Sequence, residues 1–447
     1  MPVVGSRAGA SLAWWLAPVG VTLVSMALGA VALGHRSLST DEAASAAQAD
    51  APLRTVVSRI VHDDPGQAGG LLLLKLASTV GNDELTLRAP SAIAVALAAG
   101  LLVVLGTLIL GRGGGLVAGI AFALDAGVVE ASREARPYAL GLLGIVVATL
   151  LLVVALERGG GWRWIPYAIA AAALPLTHPL AASVLAAHGA ALIVTRADLR
   201  RAGFALLTGT IVAGLVLAWM AADRAGAAAG AGALDLGRLG RGLARGVGWN
   251  PVLVVAAIAG LYVLFRPHGG AGRRHGVLVA ALIAAPVVGT LLAAVALPVH
   301  AGALVLCAPG VALAAGAAAA LLMPVRGLLW TGLGLLLVSS AVTIAVRLES
   351  GPAEDWQALA AAVKRVRGVH ETVVVVPSRS RAAFAYYAPY VPVIGHAGDA
   401  GAWVAVVADT PEGAVTAARP VVSTPRYALL RQFRYGDALR LQHWVRP

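Results

Sequence analysis

Charged residues are scarce in this chain of 447 residues. Only 13% are Asp, Glu, Lys or Arg and 59% are hydrophobic, whereas an ordinary soluble domain carries about 25% charged residues. The scarcity excludes a water-soluble globular fold for most of the chain. Cysteine is also nearly absent, because Cys307 is the only one, so the chain cannot form an internal disulfide and its cysteine content indicates no redox compartment.

Lysine is limited to Lys75 and Lys364, so almost all of the positive charge is arginine. Together with the excess of Ala, Gly and Val, this pattern is typical of GC-rich coding. The formal net charge of +12 would indicate nucleic acid as a partner of a soluble protein. In a chain this apolar we expect no nucleic-acid partner.

Apolar runs of about 20 residues, long enough to cross a bilayer, recur along most of the chain. We predict eleven spans, at 11–34, 89–110, 115–131, 137–155, 164–177, 179–195, 203–222, 250–266, 276–297, 301–323 and 327–347. Charges, prolines and β-branched runs return after them. The predicted fold class is therefore a polytopic α-helical membrane protein with about eleven transmembrane helices and a small C-terminal α/β domain. We predict a transmembrane domain at 1–348, in which 35–88 forms a first outer loop with interfacial helices, and an extracytoplasmic domain at 349–447.

Loop charges predict the orientation, because short cytoplasmic loops of membrane proteins are enriched in Lys and Arg. One set of short loops holds Arg112, Arg158, Arg163, Arg196, Arg200, Arg201, Arg266, Arg273, Arg274 and Arg326. We assign these to the cytoplasm. The N-terminus is then cytoplasmic, and the first loop and C-terminal domain lie outside the inner (plasma) membrane. Arginines kept on that outer face indicate an anionic ligand.

Polar motifs concentrate on the predicted outer face. The segment that follows the first span contains the acidic pair Asp41-Glu42. At headgroup depth, desolvation raises the pKa of a carboxyl group toward the range that suits a general base. The alternative is a helix start, in which Ser39 or Thr40 caps and the acidic pair favours the helix dipole. Four further motifs follow in order: His62-Asp63-Asp64-Pro65, Leu87-Arg88-Ala89-Pro90-Ser91, Ser132-Arg133-Glu134-Ala135-Arg136-Pro137-Tyr138 and Glu354-Asp355-Trp356.

The ordered set resembles the C-type glycosyltransferases of the protein-mannosyltransferase and aminoarabinose-transferase kind, which use polyprenyl-phosphate sugars as donors. The likeness covers most of the chain. One departure concerns the first loop, where relatives carry a His-Pro-Pro-Leu-Tyr-Tyr-like run. Here Pro65 is followed by Gly-Gln-Ala-Gly-Gly, without the second proline or the tyrosines, which leaves the substrate open and also admits a lost activity.

The resemblance implies an inverting transfer of a mannose- or arabinose-type sugar to a glycan, glycolipid or protein acceptor of the cell envelope. Asp41 would act as general base and Glu42 would orient the acceptor or support Asp41. A phosphodiester leaving group needs fixed cations, and arginine supplies forked donors for phosphate. The implied phosphate-binding residues are Arg88, Arg133, Arg136 and His62, and the implied groove residues are Tyr138, Asp63, Asp64, His178 and His300.

Each of these residues also has a simpler interpretation. The arginines would be snorkelling anchors and Tyr138 an aromatic-belt residue, while His178 and His300 would mark span ends and His62 a solvated loop. His62, Asp63 and Asp64 together would suit a divalent ion, but the resemblance implies no metal and no cofactor besides the donor. Two other functions remain open: a lipid or glycan transporter or flippase, and an inactive membrane scaffold. A transporter typically has polar groups at the bilayer midplane, whereas here they crowd one face.

Overall fold

The computed structural model describes most of the chain. The described residues are 12–31, 33–62, 65–195, 199–224, 248, 250–266, 270–296, 301–349, 353–368, 371–395, 402–408, 410–422 and 427–445. They divide into two compact units. The first contains the described residues of 12–31, 57–70 and 90–347, and the second those of 33–56, 71–89 and 348–445.

Helices dominate the described residues. In chain order they are α1 Leu12–Ala30, α2 Thr40–Asp50, α3 Leu53–His62, α4 Ala68–Ser78, α5 Glu84–Ala123, α6 Ala126–Ser132, α7 Tyr138–Arg158, α8 Trp164–Thr177, α9 Val184–Thr195, α10 Leu199–Arg224, α11 Pro251–Phe265, α12 Gly270–Ala296, α13 Ala308–Leu322, α14 Arg326–Glu349, α15 Trp356–Val366, α16 Arg381–Tyr387 and α17 Pro411–Val422. Short 3₁₀ helices lie at Pro65–Gln67, Gly161–Arg163, Pro179–Ser183, Ala301–Cys307 and Ser378–Ser380. The strands are β1 Thr372–Val376, β2 Ala402–Val407, β3 Ala428–Arg434 and β4 Leu439–Val445.

The prediction of a polytopic membrane protein is confirmed. Within the described residues, six helical segments are long and apolar enough to cross a bilayer: Glu84–Ala123, Tyr138–Arg158, Arg200–Met220, Arg273–Ala293, Gly302–Leu322 and Arg326–Glu349. Three shorter apolar segments are Trp14–Ala30, Pro179–Thr195 and Pro251–Phe265. Within α5 the backbone leaves helical geometry at Gly111, where φ is 80°, so two helical segments meet at this bend, between the predicted spans 89–110 and 115–131. Glycine suits this bend because it adopts positive φ without a steric penalty.

Small residues let the helices of the first unit pack closely. A Cβ added at Gly260 would overlap the backbone of Ala314, and one added at Gly316 would overlap Gly114. Lipid tails are as apolar as leucine, so membrane helices associate through such close packing rather than through hydrophobic exclusion from water. The many glycines and alanines of the sequence therefore build the helix interfaces of this unit.

The second unit is built on a four-stranded sheet of order β1-β2-β4-β3. Strands β1 and β2 are parallel, and the other two pairs are antiparallel. One face of the sheet buries Val374, Val404 and Val406 together with residues of α17. The predicted α/β domain is therefore present. Its compact unit also includes first-loop segments 33–56 and 71–89, which the sequence prediction had assigned to the transmembrane domain.

Candidate functional site

The acidic pair Asp41-Glu42 lies in the first turn of α2. Ser39 is the N-cap: its hydroxyl accepts a hydrogen bond from the Glu42 N–H at 3.3 Å, and the Glu42 carboxylate accepts one from the Ser39 N–H at 2.9 Å. This reciprocal capping box satisfies two N–H groups that the helix itself leaves unpaired. The alternative of a helix start therefore accounts for Glu42, which is buried, whereas Asp41 is only half-buried.

Glu42 also forms a buried ion pair with Arg88. Arg88 Nε lies 2.9 Å from Glu42 Oε1, and its second terminal nitrogen lies 3.0 Å from Oε2. Both residues are only 3% exposed. The paired geometry matches the forked arrangement that makes arginine–carboxylate contacts specific.

The remaining N–H groups of Arg88 donate to main-chain carbonyls. Nη1 donates to Leu33 O at 3.0 Å and to Arg36 O at 2.8 Å, and Nη2 donates to Ser37 O at 3.1 Å. A guanidinium has five N–H donors, and all five are used here. Arg88 therefore holds the chain that leads into α2 and keeps no donor for a phosphate in this conformation.

Arg136, Tyr138 and His178 lie together in the first unit. The Arg136 guanidinium lies over the Tyr138 ring, 5.7 Å from its centroid, and the Tyr138 and His178 rings are 5.0 Å apart. Arg136 also lies 3.9 Å from the Glu134 carboxylate, and its side chain is 20% exposed. Arg133, at the C-cap of α6, is buried. The structure thus brings together three of the predicted site residues, Arg136, Tyr138 and His178.

Helix α6, which leads into the turn with Arg133 and Arg136, is held near both of its ends. Asp125 Oδ1 accepts hydrogen bonds from the N–H groups of Gly127 at 2.7 Å and Val128 at 3.1 Å, which caps the helix. Arg347, in the last turn of α14, forms an ion pair with Glu130. Asp125 is a local helix cap, whereas Arg347 follows from no sequence motif, because its partner Glu130 is far away in the chain.

The first-loop residues of the predicted site are only partly described. His62 ends α3, is exposed, and places Nδ1 2.8 Å from Ser58 O. Asp63, Asp64 and His300 lie outside the described residues. Their predicted roles therefore remain predictions. Across the described residues, no group of three or more His, Cys, Asp or Glu side chains lies close enough to hold a metal ion.

The glycines that replace the family's tyrosine-bearing run allow close contact. A Cβ at Gly66 would overlap the Pro179 ring, one at Gly69 would lie 2.8 Å from Leu140 Cδ2, and one at Gly70 would lie 3.2 Å from Pro137 Cβ. Three glycines therefore let this segment lie directly on the residues that flank Tyr138 and His178. Larger side chains would fit there only if these neighbours moved, most of all at Gly66, which meets the rigid Pro179 ring.

Two tyrosines of α16 also contact the first loop, a contact that the sequence did not indicate. The Tyr387 hydroxyl accepts a hydrogen bond from Leu38 N–H at 2.7 Å and donates one to Glu84 at 2.9 Å. The Tyr386 hydroxyl donates to Asn82 O. Burial, helped by the charges of Glu84 and Asp83, raises the pKa of Tyr386 to about 12, and burial also raises the pKa of Tyr387. Both phenols are therefore neutral and able to donate at physiological pH.

Known structures share this fold. ArnT from Cupriavidus metallidurans bound to undecaprenyl phosphate matches with a TM-score of 0.58 at 12% identity, and the match covers 97% of this chain and 98% of that one. The oligosaccharyltransferase AglB from Archaeoglobus fulgidus, in complex with an inhibitory peptide and a dolichol-phosphate, matches with a TM-score of 0.51 at 12% identity. That match covers 94% of this chain and 74% of AglB. The chain is thus a multi-pass membrane protein with the fold of the C-type glycosyltransferases, as the sequence resemblance predicted.

Sequence comparison points to the same group of proteins. The family model described as dolichyl-phosphate-mannose-protein mannosyltransferase matches residues 69–221. This stretch includes Arg88, Arg133, Arg136 and Tyr138 of the predicted site. Among curated proteins, no sequence matches.

Proposed function

We propose that this protein is a membrane glycosyltransferase that moves a sugar from a polyprenyl-phosphate donor to a hydroxyl of a cell-envelope acceptor. The observation that carries the proposal is the first turn of α2. Glu42 is fully engaged by Ser39 and Arg88, and this fixes the turn that carries its half-buried neighbour Asp41. A general base has to be held in a fixed position relative to its substrate, and the capped turn supplies a fixed backbone for Asp41.

Asp41 is assigned the role of base. Its carboxylate accepts the proton of the acceptor hydroxyl while that oxygen attacks the anomeric carbon of the sugar. The bond between the anomeric carbon and the phosphate oxygen breaks, and polyprenyl phosphate leaves with its electron pair. Attack opposite the leaving group inverts the anomeric configuration.

Arg133 and Arg136 are assigned to the phosphate of the donor. Negative charge grows on the phosphate oxygens as the bond breaks, and fixed guanidinium groups stabilise this charge most in a water-poor site. The Tyr138 ring under the Arg136 guanidinium attracts the cation and restricts the position of the arginine. Tyr138 and His178 are assigned to the wall of the donor groove.

Arg88 is assigned a different role from the one the family resemblance implied. Because all five of its N–H groups donate within the protein, we propose that it positions Glu42 and the start of α2 rather than binding phosphate. Glu42 is then the link between this arginine and the turn that carries Asp41.

The similar proteins support a lipid-phosphate donor, because ArnT is bound to undecaprenyl phosphate and AglB is in complex with a dolichol-phosphate. We propose a mannose- or arabinose-type sugar and an acceptor among glycans, glycolipids and proteins. We also propose that the reaction takes place on the extracytoplasmic face of the plasma membrane, with the C-terminal domain on that side and the N-terminus in the cytoplasm.

The test uses the full chain purified into lipid nanodiscs. Undecaprenyl-phosphate-linked mannose and arabinose are supplied separately, with membranes of the native cell as the acceptor source, and release of undecaprenyl phosphate is measured. We expect Asp41→Asn to lower kcat at least a thousandfold while undecaprenyl phosphate still binds. The matched control is Asp50→Asn, at the far end of the same helix, which we expect to retain activity. Wild-type transfer by Asp41→Asn would refute the assignment of the base.

A further inference from the structure

The structure shows what each residue of the motif Glu354-Asp355-Trp356 contacts. Asp355 caps α15, because its Oδ1 accepts a hydrogen bond from Ala358 N–H at 2.9 Å. Trp356 is completely buried and donates its indole N–H to Glu354 Oε2 at 2.7 Å. The motif thus starts a helix and anchors it, and at the same time fixes the carboxylate of Glu354.

That fixed carboxylate binds the residue before Asp41. Glu354 Oε2 accepts hydrogen bonds from the Thr40 N–H at 2.8 Å and from the Thr40 hydroxyl at 2.6 Å. Thr40 is the first residue of α2 and is buried. The N–H of a first helical residue has no partner within its own helix, and a carboxylate at this end also stabilises the helix dipole. Glu354 therefore completes the cap that Ser39 begins.

Other contacts from the C-terminal domain reach the residues just before this point. Leu38 N–H donates to the Tyr387 hydroxyl at 2.7 Å, and Gln357 N–H donates to the Ser37 hydroxyl at 3.3 Å. The Thr40 hydroxyl also lies 3.2 Å from the hydroxyl of Ser380. Successive residues that lead into α2 are thus held from the C-terminal domain, and Glu354 makes the contact nearest to Asp41 in the chain.

We propose that Glu354 is a positioning residue for Asp41, so that the C-terminal domain sets the geometry of the base. The inference rests on the function proposed above. Release of Thr40 frees the first turn of α2 and with it the direction of the Asp41 side chain. A displacement of about 1 Å at a reacting group costs up to about a hundredfold in rate, whereas affinity for the lipid phosphate depends on other residues.

The experiment compares Glu354→Leu, Glu354→Gln and Thr40→Val in the full chain in nanodiscs. Leucine keeps the approximate size of the side chain but accepts no hydrogen bond, while glutamine keeps an acceptor oxygen. Thr40→Val removes only the hydroxyl donor. It tests the same contact from the other side if Glu354→Leu fails to fold. The matched control is Glu412→Leu, an exposed glutamate of α17 in the same domain.

Two readouts are combined. Amide hydrogen exchange of a peptide that covers 38–45 reports whether the Thr40 N–H remains bonded, and steady-state kinetics separate kcat from KM for the donor. In Glu354→Leu we expect faster exchange at this peptide, a kcat lowered about tenfold to a hundredfold, and a KM within about twofold of wild type. Glu354→Gln restores most of the rate, Thr40→Val shows a smaller loss in the same direction, and Glu412→Leu resembles wild type.

Unchanged exchange in Glu354→Leu would overturn the inference, as would a wild-type kcat despite faster exchange. The inference and the proposed function fail in different ways. Activity that is lost in Asp41→Asn but kept in Glu354→Leu overturns only the positioning role. Activity kept in Asp41→Asn refutes the base itself, and the positioning role falls with it even if exchange at 38–45 responds to Glu354.

Discussion

The guanidinium of Arg88 is forked onto both carboxylate oxygens of Glu42, at 2.9 Å and 3.0 Å, with both side chains nearly inaccessible to solvent. Removal of one partner of a buried pair leaves an uncompensated charge, and this costs about 3–5 kcal/mol. The pair therefore matters first for the structure around α2 and only through that structure for catalysis.

Arg88→Ala is expected to lower the thermal unfolding temperature of the protein markedly, and Arg88→Lys to recover only part of it, because one ammonium group cannot reach three carbonyls and a carboxylate. Thermal unfolding monitored by size-exclusion chromatography in detergent measures the effect. Arg54→Ala, an exposed position on α3, is the control and should leave the unfolding temperature unchanged. A stable Arg88→Ala protein that has merely lost affinity for undecaprenyl phosphate would restore the phosphate-binding role to Arg88.

Substitution of Arg136 is expected to weaken lipid-phosphate binding. A hydrogen bond to a charged group contributes about 1.5–3 kcal/mol, so Arg136→Ala should reduce the affinity for undecaprenyl phosphate about tenfold to a hundredfold. Arg136→Lys should retain part of it, because lysine keeps the charge without the fork. Native mass spectrometry with titrated undecaprenyl phosphate gives the affinities. Arg158→Ala, at the end of α7, provides the control, and equal affinities for all three variants would contradict the assignment.

Gly66→Ala tests the close contact between the glycine-rich segment and the Pro179 ring. The added methyl group overlaps a ring that cannot rotate away, so we expect a loss of about 1–3 kcal/mol in stability from overpacking. Gly203→Ala is the matched control, because a Cβ there meets no atom within 4 Å and alanine favours the helix. The thermal unfolding temperatures of the two variants, measured side by side, give the difference in stability. If Gly66→Ala is as stable as Gly203→Ala, the segment does not require glycine.

Acid should destabilise the C-terminal sheet through Glu371. Burial raises the pKa of Glu371, but hydrogen bonds from Gly368 N–H, Trp403 and His443 outweigh burial, and the pKa falls below its ordinary 4.5. Because the folded-state pKa is the lower one, the stabilisation is present above about pH 4.5 and is lost as the pH falls through the folded-state value.

Hydrogen exchange of the peptide that covers β1, measured in the full chain from pH 7 to pH 3 and corrected for intrinsic rates, checks this dependence. Glu371→Gln should be less protected at pH 7 and should change less on acidification. Glu412→Gln is the control and should follow wild type. Identical pH profiles for Glu371→Gln and wild type would show that another group controls acid stability.

The transmembrane architecture could be predicted because its signal is local. Any apolar run near 20 residues has to satisfy its backbone hydrogen bonds internally in lipid, and a helix does so without help from distant residues. The position of Asp41 in a capped first turn was also readable, since Ser39 and Glu42 stand at capping-box spacing. The positive φ of Gly111 could not be predicted, because the sequence of an apolar run does not indicate the backbone conformation of its glycines.

The roles of charged residues were harder to predict. The sequence does not show whether an arginine binds a phosphate or groups of its own protein, and only the distances from Arg88 to the Glu42 carboxylate and to three carbonyls distinguish the two. Likewise, Glu354 stood out in the sequence as part of a family motif, but its contact with Thr40 spans 314 residues of chain. A partner that distant leaves no periodicity or spacing in the sequence.

The sequence by itself determined that this is a polytopic membrane protein, where its helices run, and which polar motifs crowd its loops, because these follow from hydropathy and local capping. Only the tertiary structure decided which charges are neutralised inside the protein and which residues of the C-terminal domain hold the segment leading to Asp41. The physical reason is that an ion pair or a hydrogen bond depends on distances of about 3 Å, and such distances between remote parts of the chain exist only once it has folded.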